Sequence, residues 1–105
     1  MTPARSANPS AYAERVLAVV AKIPAGHVMS YGDIAEYMGE GSARSVGTVL
    51  FRFGHVVPWQ RVVMANGSPK PHGREEHLAR LRDEATPLSA DGSRVDMRRA
   101  RWDGR

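Results

Sequence analysis

Ser30-Tyr31-Gly32-Asp33-Ile34-Ala35-Glu36-Tyr37-Met38-Gly39-Glu40-Gly41-Ser42-Ala43-Arg44-Ser45-Val46-Gly47-Thr48-Val49-Leu50 holds the pattern on which the fold turns. A hydroxyl at Ser30 and a carboxylate at Asp33 form a capping box, in which each side chain satisfies a backbone donor left open at a helix start. The helix predicted from there buries Ile34, Ala35 and Met38 and ends at Gly39. After the turn Gly39-Glu40-Gly41, Ser42 is placed to cap a second helix running to about Arg52. Val46, Val49, Leu50 and Phe53 share one of its faces, while Arg44, Ser45, Gly47 and Thr48 lie largely on the other. Two short helices joined by a glycine-containing turn are a helix-turn-helix pattern, with the second in the position of a recognition helix.

Upstream, Ser10 is placed to cap a helix reaching Lys22, with Tyr12, Val16, Val19, Val20 and Ile23 at helical spacing. Pro24-Ala25-Gly26 stops it, and Val28 and Met29 read as a short extended piece. Downstream, Val56 to Met64 reads as a loop entering a short strand, Asn66-Gly67 as a turn, and Pro69 to Gly73 as a loop too rich in proline for a helix. A last helix is expected from Glu75 to about Glu84, with Leu78 and Leu81 inward. From Ala85 the chain is turn-rich and ends in the run Arg98-Arg99-Ala100-Arg101-Trp102. The division that follows is a flexible arm over 1–9, a domain over 10–85 and a basic extension over 86–105. The expected fold is mainly α with a small β element, helix-turn-helix and winged-helix-like.

The chain has 105 residues and 11.5 kDa, enough for one compact domain. Hydrophobic residues at 42% and charged residues at 25% place it in the globular class. Net charge is +4, and its distribution is uneven. Between Gly41 and Arg74 stand five bases (Arg44, Arg52, Arg61, Lys70, Arg74) and no acid, whereas the two flanks together nearly balance. An acid-free basic segment suits a polyanion such as nucleic acid, and equally a solvated face. No apolar run approaches the roughly 20 residues of a membrane span. MTPARSANPS carries no hydrophobic stretch of a secretory signal. The expectation is a cytoplasmic, nucleoid-associated monomer without membrane contact.

Cysteine is absent, which removes a disulfide framework, a thiolate zinc site and any thiol nucleophile. The four histidines (His27, His55, His72, His77) show no metal-ligand or triad spacing, so no metal and no cofactor is expected. Taken singly, Tyr31 reads as a hydrophobic contact at a helix start, Arg44 as a solvated charge and Trp59 as a core side chain.

Three ordered blocks change that balance. Ile23-Pro24-Ala25-Gly26-His27-Val28-Met29-Ser30-Tyr31-Gly32-Asp33-Ile34-Ala35 resembles the opening of the DNA-binding domain of the O6-alkylguanine-DNA alkyltransferases. Ala43-Arg44-Ser45-Val46-Gly47 resembles that family's recognition helix. Pro58-Trp59-Gln60-Arg61-Val62-Val63 resembles its proline-cysteine-histidine-arginine-valine motif, with tryptophan in the cysteine position. That replacement marks the alkyltransferase-like proteins, which resemble the repair enzyme and accept no alkyl group. The similarity runs from about Tyr12 to Glu84, and implies a domain of the alkyltransferase C-terminal type.

Chemistry supports the absence of catalysis independently. Alkyl transfer from a guanine oxygen needs a soft, deprotonatable nucleophile, and the carbon-bound indole of Trp59 offers none. Gln60 stands where the transferase has its relay histidine, and a neutral amide does no acid–base work near pH 7. Glu84 resembles the acid behind that relay and has nothing to activate.

What the resemblance implies is recognition of O6-alkylguanine in double-stranded DNA by nucleotide flipping, and flagging of the lesion for nucleotide excision repair proteins. Tyr31 would crowd the phosphate and help rotate the nucleotide out. Arg44 would fill the vacated place in the stack, and the helix carrying it would enter the minor groove. Ser42, Ser45 and Thr48 are candidates for phosphate bonds. Trp59 would wall the lesion-base pocket, completed by Tyr31, Leu50, Val62 and the proline-rich loop, in which Lys70, His72 or Arg74 would supply a cation to the base. Arg61 reads as a structural bridge. Many relatives carry histidine after the tryptophan, where this chain has Gln60. The competing readings are a sequence-specific helix-turn-helix regulator and a protein-interaction adaptor.

Overall fold

The computed structural model describes residues 9–105, so the arm expected over 1–9 lies, apart from Pro9, outside the described residues. Helix α1 (Ala11–Lys22) starts where the Ser10 hydroxyl accepts the Ala13 N–H at 3.1 Å. Its Ala13, Val16, Val19 and Val20 are buried, as their three- and four-residue spacing requires. Strand β1 (Met29–Ser30) leads directly into α2 (Tyr31–Met38). The Ser30–Asp33 capping box is formed, each side chain accepting the other residue's N–H at 3.0 Å. Gly39 ends α2 in the left-handed region, at φ 74°. Gly41 also has positive φ, and a Cβ there would collide with the Tyr12 hydroxyl. The turn into α3 (Ala43–Phe53) is thus tight because α1 lies against it.

Between Phe53 and Val62 the expected loop is two tight 3-10 turns, Gly54–Val56 and Trp59–Arg61. Short-range bonds from Val57 N–H to Gly54 O and from Arg61 N–H to Pro58 O close them at 3.1 and 3.0 Å. Strand β2 (Val62–Val63) then pairs in parallel with β1, Met29 opposite Val62 and Ser30 opposite Val63. Helix α4 (Arg74–Asp83) follows the proline-rich loop.

This two-stranded ribbon divides two cores, because successive side chains of a strand point to opposite faces. Met29 and Val62 face α1, α2 and α3, packing with Val16, Val20, Ile34, Val46 and Val49. Val28 and Val63 face the other way and pack with Leu81, Val95 and Ala100. The last two belong to the segment set apart in the sequence as an extension. Residues 86–105 instead complete the second core, and a short α5 (Met97–Ala100) makes the Glu75–Glu84 helix the penultimate one. The Val28 N–H donates to Ala100 O at 2.9 Å, and the Trp102 N–H to Val28 O at 2.8 Å. Arg101 reaches Asp33 of the capping box at 3.0 Å, and the Trp102 and Tyr37 rings lie 6.2 Å apart. Among the described residues, no helix is long and apolar enough to cross a membrane.

Candidate nucleic-acid interface

The inner face of α3 is fixed by Val46 and Val49 in the first core, which leaves Ala43, Arg44, Thr48 and Phe51 outward. Arg44 is exposed in the first turn, and among the described residues it makes no ion pair. Tyr31 opens α2 with its ring against Gly47 of α3, half-buried, and burial pushes its phenol above the ordinary tyrosine range.

Beside Tyr31 opens a cavity of about 510 Å³. That volume lies within the ~300–1,000 Å³ typical of sites for small organic ligands. Tyr31, Gly47, Leu50 and Phe51 form the helical side; Trp59, Lys70, Pro71 and His72 form the other, with Gly54 and His55 between. A Cβ on Gly47 would meet only the Tyr31 ring, at 3.9 Å. Packing in the free protein thus does not require a glycine there.

Trp59 is neither sealed in the core nor fully exposed. The Lys70 ammonium sits 4.4 Å from its ring centroid and the Arg80 guanidinium 5.3 Å. The electron-rich indole face favours both cations. The His77 ring meets Trp59 edge-on, with centroids 5.2 Å apart. His77 is fully buried. Its Nδ1 accepts the Lys70 N–H at 3.1 Å, which leaves Nε2–H to donate to the Gln60 carbonyl at 3.0 Å. One neutral imidazole thereby ties the turn carrying Trp59 to the loop carrying Lys70. Burial holds the His77 pKa below the ordinary histidine value.

Behind the tryptophan, Glu84 is committed to structure. It accepts from Arg61 Nη2 at 2.6 Å and from Gln60 Nε2 at 2.9 Å, while Arg61 Nη1 donates to Ile23 O at 2.8 Å. The hydrogen bond from Arg61 is the main reason the Glu84 carboxyl lies below its usual range. Arg61 bridges α1 to the end of α4, as its residue type suggested.

Several expectations need correction. Val62 is fully buried on the core side of the ribbon and does not line the cavity. Strand alternation places it there, as neighbour to Met29 rather than to the opening. Arg74 does not reach the cavity either, because its guanidinium donates to Ser93 O at 2.9 Å. Of the three loop side chains, Lys70 and His72 line it. The Ser45 hydroxyl is half-buried, contacts the Tyr12 hydroxyl at 2.6 Å and accepts the Ser42 N–H at 2.9 Å. It completes a second capping box and has no free donor for a phosphate. Thr48 donates to Arg44 O at 3.1 Å, so its proton is also engaged. The Ser42 hydroxyl is exposed and caps Ser45 N–H as an acceptor, leaving its proton available. Phe51, Gly54 and His55 are cavity residues not picked out from the sequence. The signal for Phe51 was a large apolar residue seven positions after Arg44, two helical turns along one face. Among the described residues, no three histidine or acid side chains converge as metal ligands.

A helix-turn-helix body that exposes Arg44 on its second helix, with an organic-ligand-sized cleft on the same half, suits a nucleic-acid-binding domain. Residues 11–86 match the family described as "6-O-methylguanine DNA methyltransferase, DNA binding domain". The chain belongs to that family. A "DNA base-flipping protein" of Escherichia coli is 38% identical over 96 residues, covering 87% of this chain and 74% of that protein. "Alkyltransferase-like protein 1" of Schizosaccharomyces pombe is 33% identical over 81 residues, covering 70% of this chain and 75% of that one. The crystal structure of S. pombe Atl1 in complex with damaged DNA containing O6-carboxymethylguanine superposes with a TM-score of 0.78. It is 25% identical, with 91% of this chain and 98% of that chain covered. Within the family, the chain is similar to the alkyltransferase-like members.

Proposed function

We propose that this protein is a non-enzymatic sensor that binds O6-alkylguanine in duplex DNA, rotates the damaged nucleotide out of the stack and holds it against Trp59. The observation that carries the reading is the open cleft walled by Trp59, Lys70 and half-buried Tyr31, on the helix whose first turn exposes Arg44. Extrusion of a base costs a few kcal/mol, and less where alkylation has already weakened pairing. Contact of the base with an aromatic face returns roughly 1–3 kcal/mol. Arg44 has the planar, stacking, multiply donating head suited to the gap left behind. Tyr31, half-buried at the start of α2, supplies neutral aromatic bulk against the phosphate.

Chemistry stops at holding. The chain has no cysteine, Trp59 has no nucleophilic lone pair to offer, and the Gln60 amide is bonded to a carboxylate already engaged by Arg61. A bound lesion that is never repaired in place needs a downstream process, and nucleotide excision repair is the one we assign, with the protein acting as the flag.

Titration of a labelled O6-methylguanine duplex against its unmodified twin tests this reading. Tighter binding of the damaged duplex in unrelated sequence contexts is expected. Preference that follows base order instead would make the protein a helix-turn-helix regulator, and failure to bind either duplex would make it an adaptor.

A further inference from the structure

Both ring nitrogens of His77, a fully buried side chain of α4, are bonded to the backbone of the two segments that form one wall of the cleft. One tie is to Gln60, next to Trp59, and the other is to Lys70. The second has no substitute. Pro69 and Pro71 flank Lys70 and lack an N–H, so Lys70 holds the one backbone donor of the three residues. Among the described residues, the stretch from Pro69 to His72 makes no hydrogen bond besides this one at 3.1 Å. The loop is next anchored at Ser68, whose carbonyl accepts the Met64 N–H at 2.9 Å, and at Gly73, whose carbonyl accepts the His77 N–H at 2.9 Å. From this single tether the Lys70 ammonium comes within 4.4 Å of the Trp59 ring centroid. His77 itself lines no part of the cleft.

We infer that His77 is a positioning residue for lesion specificity: by accepting the Lys70 N–H it holds the loop cation at Trp59, and its protonation frees the loop and releases the flipped base while the rest of the duplex stays bound. This rests on the reading above that the cleft takes the extruded base. A neutral imidazole accepts through one nitrogen and donates through the other, whereas an imidazolium only donates. Protonated His77 would therefore turn a donor towards the Lys70 donor. The charged groups around the ring oppose the proton as well. Lys70 faces it from the loop. From the Trp59 turn, Gln60 presents its carbonyl, and the Glu84 carboxylate behind it is engaged by Arg61. On α4, Arg80 lies over Trp59 and pairs with Glu76. Among the described residues His77 joins no ion pair, so no carboxylate compensates a charge on it. The tie is thus intact above the ordinary histidine value of 6.5 and is lost as pH falls below it.

Fluorescence anisotropy at fixed ionic strength, from about pH 8 to about pH 5, tests the assignment on the O6-methylguanine duplex and its unmodified twin. NMR of the free protein follows the Lys70 amide over the same interval. The wild type is compared with His77→Asn and His77→Gln, neither of which titrates. An asparagine oxygen falls near the place of Nδ1 and keeps an acceptor for Lys70; a glutamine nitrogen falls near Nε2 and keeps only the donor to Gln60. In the wild type, affinity for the damaged duplex is expected to drop about tenfold towards that of the twin as the Lys70 amide shifts, while the twin remains bound. His77→Asn is expected to keep its lesion preference at every pH, and His77→Gln to lack it at every pH. His55 and His72, also on the cleft, gain positive charge on acidification, which strengthens attraction to phosphates and opposes the drop. A lesion preference that persists after the Lys70 amide has shifted would overturn the inference, as would equal loss of both duplexes. The wild-type titration decides even where a variant fails to fold. A wild type without lesion preference at neutral pH would defeat the sensor reading and this inference together; a preference indifferent to the state of His77 would defeat the inference alone.

Discussion

Gly47 is placed where a helix would prefer alanine by about 0.5–1 kcal/mol, and nothing in the free protein crowds the position. The physical reason to keep it is space on the cleft wall beside Tyr31. Gly47→Ala is therefore expected to raise the thermal midpoint while weakening binding of the damaged duplex; calorimetry and titration together check both signs. The converse holds for side chains that serve the ligand alone. Arg44→Ala is expected to leave thermal stability nearly unchanged and to lower lesion affinity, whereas Tyr31→Ala, which also removes packing on the first core, is expected to lower both. Trp59→Ala is expected to cost about 1–3 kcal/mol of lesion binding, roughly a five- to 150-fold loss. Trp59→Cys is expected to stay inert, since Gln60 relays no proton and Glu84 is held by Arg61. Mass spectrometry after incubation with the damaged duplex would detect an alkylated cysteine if that expectation is wrong. At this scale the sequence was most informative for Arg61, read as a structural bridge and found between Ile23 and Glu84. It was least informative for Ser45 and Thr48, whose hydroxyls satisfy the helix itself. Val62 misled because register, which decides strand facing, is set by pairing with Met29 and not by local pattern.

At the scale of elements, the caps made the helices readable. Ser10, Ser30 with Asp33, and Gly39 all stand where their chemistry requires. The region after Phe53 was harder, because 3-10 turns leave no apolar period to detect. The joint between the Trp59 turn, the Lys70 loop and α4 is His77, which no periodicity singles out as a double hydrogen-bonding hub. Its pKa is held down by burial, so the folded state binds a proton less readily than the unfolded chain. Stability from the neutral ring is complete above the ordinary value of 6.5 and is lost as pH falls below it. Glu84 is depressed by Arg61, so its contribution is present above its ordinary 4.5 and is lost at still lower pH. Thermal melts followed by circular dichroism should thus decline in two stages on acidification. In His77→Gln the first stage, beginning near pH 6.5, is expected to disappear.

The whole molecule is held by a ribbon of two short strands with a core on each side. The helix-turn-helix half was legible because its helices are local and amphipathic. The role of residues 86–105 was not, because Val95 and Ala100 find Val28, Val63 and Leu81 only through long-range packing that composition does not encode. Removing the chain from Arg94 onward is expected to uncover those three side chains and lower the thermal midpoint sharply, a change that a charge-reversing Arg98→Glu at the exposed surface would not produce. Charge and cleft meet on the other half, where the acid-free segment carries both α3 and the Lys70 loop. The most direct test of what that arrangement does is the crystal structure of the protein bound to an O6-methylguanine duplex. The guanine is predicted outside the helix, its face on Trp59, its methyl group intact and Arg44 in the vacated stack. A guanine still stacked between its neighbours, with the cleft empty, would contradict the account.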